Sequence, residues 1–325
     1  MLFSDVQVFD GNRFCEGPRW VLALDGKITS IETAPIASPD GEGRTGGTLF
    51  PGFVDAHVHL SFSDAASVVA GGVTAVLDLG EPEAYAFSPH APLRWRTAGP
   101  IITAPGGYPT RSWGAKGYGL EVAGPHEATD AVARLIDHGA AMIKIAIEPS
   151  AGPVLDPATI AAIAAAAHAR GSNVAAHALG TDAVRTALSS GVDVLAHTPV
   201  ERLPDDLVGA LGSAGVTIIS TVRAFGAKSS TIANLRALAD VGCPVAYGTD
   251  LGNDGIRPGI DTAELEILEE VLGGREPALA AATSVAGTLA GVDARIAEGV
   301  AADLVWCPSF ASFADLGRVE VWMGA

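Results

Sequence analysis

Hydrophobic positions along the chain fall into two alternating patterns. Short apolar runs occupy residues 52–60, 73–79, 100–104, 141–147, 173–179, 192–198, 216–222 and 244–249. Most are continuous rather than alternating, as expected of parallel strands covered on both faces. Between several of them lie Ala-rich stretches of helical character. Residues 156–170 carry Asp156 where an N-cap belongs, Pro157 at the first helical position and Gly171 past the end. Residues 181–190 stop at Gly191, and residues 261–272 stop at Gly273. Eight β/α units in about 250 residues predict an α/β protein built on a (β/α)8 TIM barrel. An open doubly wound sheet is the competing architecture. It would place a Gly-rich turn after its first strand, where this chain has SFSDAAS.

Both ends of the chain read as strands. Residues 6–9 and 20–32 lie at the front, with Asp25-Gly26 as a hairpin turn, and residues 302–307 and 319–323 lie at the back. Neither end has enough strands to close a core alone. A small β-sandwich domain from residues 1–49 plus 296–325 is therefore predicted, with residues 50–295 forming the barrel. Residues 80–119 are rich in Pro, Gly and aromatics, including Tyr108, Trp113 and Tyr118. In a barrel this stretch supplies loops at the mouth.

Composition narrows the class of function. With 48% hydrophobic and 18% charged residues, the 325-residue chain can bury a large core. Its formal net charge of −17 argues against a nucleic-acid partner, which needs a basic face. No uninterrupted apolar run is long enough for a membrane span. The segment MLFSDVQVFDG carries Asp5 and Asp10 where a secretory signal needs a basic start and an apolar run. Cys15, Cys243 and Cys307 are far apart and form no C-x-x-C pair, so they read as reduced thiols. A cytoplasmic protein acting on a small molecule is expected.

The titratable residues cluster where a barrel keeps its chemistry. His57 and His59 fall near the end of the first predicted strand, His177 of the fifth, His197 of the sixth and Asp250 of the eighth, while Lys144 lies within the fourth. His57 and His59 are two apart, so on a strand both rings point to one side and can share a cation. An H-x-H pair alone is a weak signal, and its weight comes from the three other strands. Lys144, in AMIKIAIE, must be paired or neutral if buried. It can react with CO2 to give a carbamate that bridges two cations, or pair as an ammonium with Asp250 or Glu148. Asp250, in PVAYGTDLG, is placed to take a proton from a metal-bound water. Tyr108 and Arg111 in GGYPTRSWG and Arg223 in TVRAFG are candidate substrate-binding residues, since an arginine here could hold a substrate carboxylate. For both arginines the competing reading is a solvated loop residue. His90, His126, His138 and His168 fall away from strand ends and are assigned no role.

In order, PGFVDAHVH, IKIA, AAHA, LAHT and GTD resemble the strand motifs of the amidohydrolase superfamily. AATSVAGTLAGVDARIAEGVAADLVW is similar to the return into the small sheet in imidazolonepropionase-like and prolidase-like members. The resemblance implies two divalent metal ions, usually zinc. His57 and His59 would bind the more buried ion, and His177 and His197 the more exposed one. Lys144 would be carboxylated and bridge both, together with a hydroxide. Asp250 would ligate the buried ion and shuttle the proton to the leaving group. The resemblance also allows for a homo-oligomer. The chain departs from the family at Ser284-Val285-Ala286, where Asn-Pro-Ala is frequent, and in having only 13 residues between His59 and Val73.

The leading expectation is hydrolysis of a C–N bond in an amide, peptide-like substrate or cyclic amide. Lactone or ester hydrolysis on the same centre is the second reading. A mononuclear deaminase would need a Glu soon after the fifth-strand histidine, which HALGTDAV lacks, and a non-catalytic binding barrel would be expected to have lost a ligand position.

Overall fold

Phe53–Val58 opens a ring of parallel strands that continues through Val73–Asp78, Ile143–Ala146, Val174–His177, Val194–Leu195, Thr217–Ile219 and Val245–Ala246. The computed structural model describes residues 1–38, 41–88 and 90–324. The third strand comes in two pieces. Arg94–Thr97 pairs with Val73–Asp78, and Ile101–Thr103 pairs with Ile143–Ala146 through Ile102 and Ile145. Gly99, at φ +70°, turns the chain between them. The polar sequence Arg94-Trp95-Arg96-Thr97 hides the first piece from a search for apolar runs, so only residues 100–104 were predicted there. Hydrogen bonds from Ala56 N to Tyr247 O (3.0 Å), Asp250 N to His57 O (2.8 Å) and His59 N to Leu251 O (2.7 Å) join the eighth strand to the first and close the barrel.

Strand alternation sets what lies on each face. Met142 and Ala175 belong to an apolar cluster with Val54, Val194 and Ala246. Lys144 and His177, each two residues further on, continue that face toward the carboxyl ends. The helices form where their caps were legible. Asp156 accepts from Ala158 N and Thr159 N at the start of Pro157–His168, and Asp261 caps Thr262–Leu272, which ends at Gly273 with φ +76°. Thr181–Ser189 also forms as expected.

The chain ends meet in one sheet. Its path runs Glu320–Trp322, Leu304–Cys307, Thr48–Pro51, Leu2–Val8, Arg19–Leu24, Lys27–Glu32, with Gly43–Thr45 beside Leu2–Val8. Asp25 and Gly26 both have positive φ, so the hairpin turn is of the type that suits strand twist. Leu2–Val8 is shared between two groups of strands, Arg19–Leu24, Lys27–Glu32 and Gly43–Thr45 on one hand and Thr48–Pro51, Leu304–Cys307 and Glu320–Trp322 on the other. Phe3, Val21, Leu49 and Leu304 give this sheet its own apolar core. Residue 325 of the predicted second segment lies outside the described residues. No helix among the described residues is long and apolar enough to cross a membrane.

Candidate metal centre

Six sequence-selected side chains meet at the carboxyl ends of the barrel strands. His57, His59, Lys144, His177, His197 and Asp250 are all buried and all line one cavity of about 290 Å3. Two glycines let the strands approach this closely. A Cβ on Gly80 would come within 2.7 Å of His59 Cε1, and one on Gly248 would meet Ile219 at 2.4 Å and His57 Cβ at 3.1 Å.

The first-strand histidines are held from behind. His57 Nδ1 lies 2.7 Å from Ala196 O, and His59 Nδ1 lies 3.0 Å from Gly80 O. A carbonyl only accepts, so each Nδ1 carries a proton, and in the neutral ring Nε2 presents a lone pair; burial alone would lower His59, but its hydrogen bond and charge contact with Asp250 draw it upward. Burial, reinforced by Lys144, pushes His57 well below its ordinary pKa and keeps it neutral. Both Nε2 atoms face Asp250 Oδ1, at 3.5 and 3.4 Å. Burial raises the Asp250 carboxyl, and the opposing pull of His57, His59 and His197, exerted through whichever of these rings carries the extra proton, draws it well below the usual range. His57 Nε2 and Asp250 Oδ1 are both buried without a hydrogen-bond partner. Lone pairs and a carboxylate oxygen converging without a donor repel each other unless a cation lies between them. His57, His197 and Asp250 each offer a ligand atom within 4.8 Å of the others.

A second pair of rings stands beside the first. His177 Nδ1 and His197 Nε2 are 3.0 Å apart. Their outer nitrogens are engaged, His177 Nε2 with Glu148 Oε2 at 3.3 Å and His197 Nδ1 with Thr221 Oγ1 at 3.0 Å. Thr221 adopts φ +42° and Asp250 φ +56°. A β-branched residue in that region is strained, and strain of this kind gathers at functional sites.

Lys144 is 1% exposed, and no carboxylate pairs with it among the described residues. Glu148 is turned to His177 and Asp250 to the first-strand histidines, so the ammonium pairing weighed from sequence is not formed. Burial pushes its pKa down to about 7, against the pull of Asp250 and Asp78.

The substrate-binding candidates divide. Tyr108 lines the cavity, its ring 4.7 Å from that of His177 and its hydroxyl accepting from Trp113 Nε1 at 2.8 Å. The structure does not bring the two arginines there. The Arg111 guanidinium folds over Gly106 in an exposed loop, and that of Arg223 is drawn into an ion pair with the helix cap Asp261. Sequence reasoning passed over Phe62, Phe225, Thr221 and Asp55. Asp55 accepts from His57 N (3.1 Å), Thr249 N (3.0 Å) and Thr249 Oγ1 (2.5 Å), tying the first strand to the eighth beneath the centre. The D-x-H-x-H alternation could have suggested it; nothing marks Phe62, Phe225 or Thr221. His126, His138 and His168 pair with Asp130, Glu83 and Asp193 away from the cavity.

Comparison with known proteins agrees with this architecture. The chain is 25% identical over 275 residues to an uncharacterized protein of Mycobacterium bovis, covering 72% of this chain and 70% of the relative. Among solved structures it is similar to a Xaa-Pro dipeptidase with methionine bound in its active site, with a TM-score of 0.83, 20% identity and 99% of both chains covered. It is also similar to the A. niger ochratoxinase, with a TM-score of 0.79, 17% identity and coverage of 99% and 95%. At these identities the likeness concerns the fold. Residues 48–323 match the Amidohydrolase family, to which the chain therefore belongs.

Proposed function

We propose that the chain is a metal-dependent hydrolase that cleaves a C–N bond in an amide, peptide-like or cyclic amide substrate. The observation that carries this is the convergence of His57 Nε2, His59 Nε2 and Asp250 Oδ1, with His57 Nε2 and Asp250 Oδ1 buried and lacking any hydrogen-bond partner among the described residues. These three would hold one divalent cation. His177 Nδ1 and His197 Nε2 would hold a second, and zinc suits such a nitrogen- and oxygen-rich set. Lys144 lies within the same cavity. Its neutral amine would attack CO2, forming an N–C bond and releasing one proton, and the carbamate would offer two oxygens to the pair. Bound divalent cations supply an activated water near neutral pH and polarise the carbonyl under attack.

The chain's own groups do the remaining work. Asp250 is held as a carboxylate, so it accepts the proton of the attacking water and returns it to the departing nitrogen, which leaves as an amine. Ala196 O and Gly80 O keep the His57 and His59 lone pairs turned inward. Glu148 and Thr221 fix the other two rings. Tyr108 and Trp113 wall off the cavity and limit its water.

The test is a screen of N-acyl amides, dipeptides, cyclic imides and lactones with chelated and zinc-reloaded protein. The expected result is C–N hydrolysis that disappears on chelation and returns with zinc. Turnover confined to lactones would replace the amide reading, and turnover indifferent to chelation would overturn the metal-dependent one.

A further inference from the structure

The cavity has two unlike halves. Its floor is the imidazole, lysine and carboxylate set. Its walls are Phe62, Ile101, Tyr108, Trp113 and Phe225. Three of these aromatic rings pack on the floor, with centroids 4.7 Å apart for Trp113 and His59, 4.7 Å for Tyr108 and His177, and 4.9 Å for Phe225 and His197. Phe62 and Trp113 lie 6.0 Å apart, and both present exposed surface. A group leaving water for this wall meets flat apolar faces.

Away from the floor, where the cations would sit, charge is distributed against an anion. Among the described residues lining the cavity there is no arginine, and the one lysine, Lys144, lies on the floor, away from the aromatic wall. Asp254 stands at the rim, and the whole chain carries a formal net charge of −17. The arginine that could have served, Arg223, is already paired with Asp261. A substrate carboxylate placed against the wall would lose its hydration with no positive partner there and with Asp254 nearby, which is costly.

We infer that this centre takes substrates whose group flanking the scissile bond is uncharged, flat and apolar, and that it discriminates against acyl amino acids and dipeptides ending in a free carboxylate beside that bond. The inference rests on reading the site as a metal-dependent hydrolase. A neutral aryl group gains the ring contacts, while an anion is left unpaired, so selection comes from a penalty on the wrong ligand as well as contact with the right one.

Hydroxamates test this, because they bind a cation centre whatever bond the enzyme cuts. Binding of acetohydroxamate, benzohydroxamate and 4-carboxybenzohydroxamate to the zinc-loaded full chain is measured by calorimetry. Benzohydroxamate is expected to bind about ten-fold or more tighter than its 4-carboxy analogue. Equal or reversed affinity overturns the inference. Trp113→Ala should weaken benzohydroxamate about ten-fold more than it weakens acetohydroxamate; an equal effect on both ligands would remove the aromatic wall from the account. If acetohydroxamate itself fails to bind, the metal reading fails and takes the inference with it.

Discussion

Lys144 shows how a single side chain carries chemistry once its surroundings are known. It is buried on the fourth barrel strand with no carboxylate among the described residues paired to it, and burial brings its pKa down to about 7. Lys144→Ala should lose metal and turnover together, with partial recovery in short carboxylic acids that replace the carbamate oxygens; a fully active variant would sink the bridging role. Asp250→Asn keeps the size of the side chain and should largely retain the fold, yet abolish turnover, and near-normal rates would remove Asp250 as the proton carrier. All six residues that converge at the strand ends were legible in the sequence because each is a titratable group inside an apolar strand motif. Thr221 and Phe225 were not, since their importance comes from a backbone angle and a ring contact that no local pattern encodes. Arg223 misled for a related reason. Its position after the seventh strand was read correctly, but its partner Asp261 lies 38 residues away in sequence.

Local signals were dependable where they satisfied a backbone group. Asp156 accepts from Ala158 N at 3.0 Å and Thr159 N at 3.1 Å, and Asp25-Gly26 turns the terminal hairpin with both φ values positive. Asp156→Ala should lower unfolding free energy by about 1 kcal/mol without changing turnover, as measured by urea denaturation. A change indistinguishable from zero would mean that the cap adds nothing beyond solvent. Pattern reading failed at the third strand, whose first piece, Arg94–Thr97, is polar in sequence. There Arg94 reaches across to Asp303 at 3.0 Å, linking the barrel to the terminal sheet. Such a strand is stabilised by contacts from distant segments, and hydrophobic periodicity is blind to those.

Taken as a whole, the molecule is a closed barrel with its chemistry at one end and a sheet that gathers both chain ends. Cys243 and Cys307 are buried within this framework, and burial pushes the Cys243 thiol up to about 11. Neither should react with an alkylating agent at pH 8 until the chain unfolds, whereas the half-buried Cys15 should label first; rapid labelling of Cys243 in native protein would show that the barrel opens locally. The fold class was legible because eight apolar runs recur at barrel spacing, while the path of the terminal sheet was not, because its strands pair across nearly the whole chain. The central claim is that the strand-end residues form a two-cation centre. Elemental analysis of the gently purified, zinc-equilibrated chain measures it most directly. The account predicts about two divalent ions per chain, falling in His57→Ala and His177→Ala; a chain that binds none, or one whose loading is untouched by both substitutions, would contradict it.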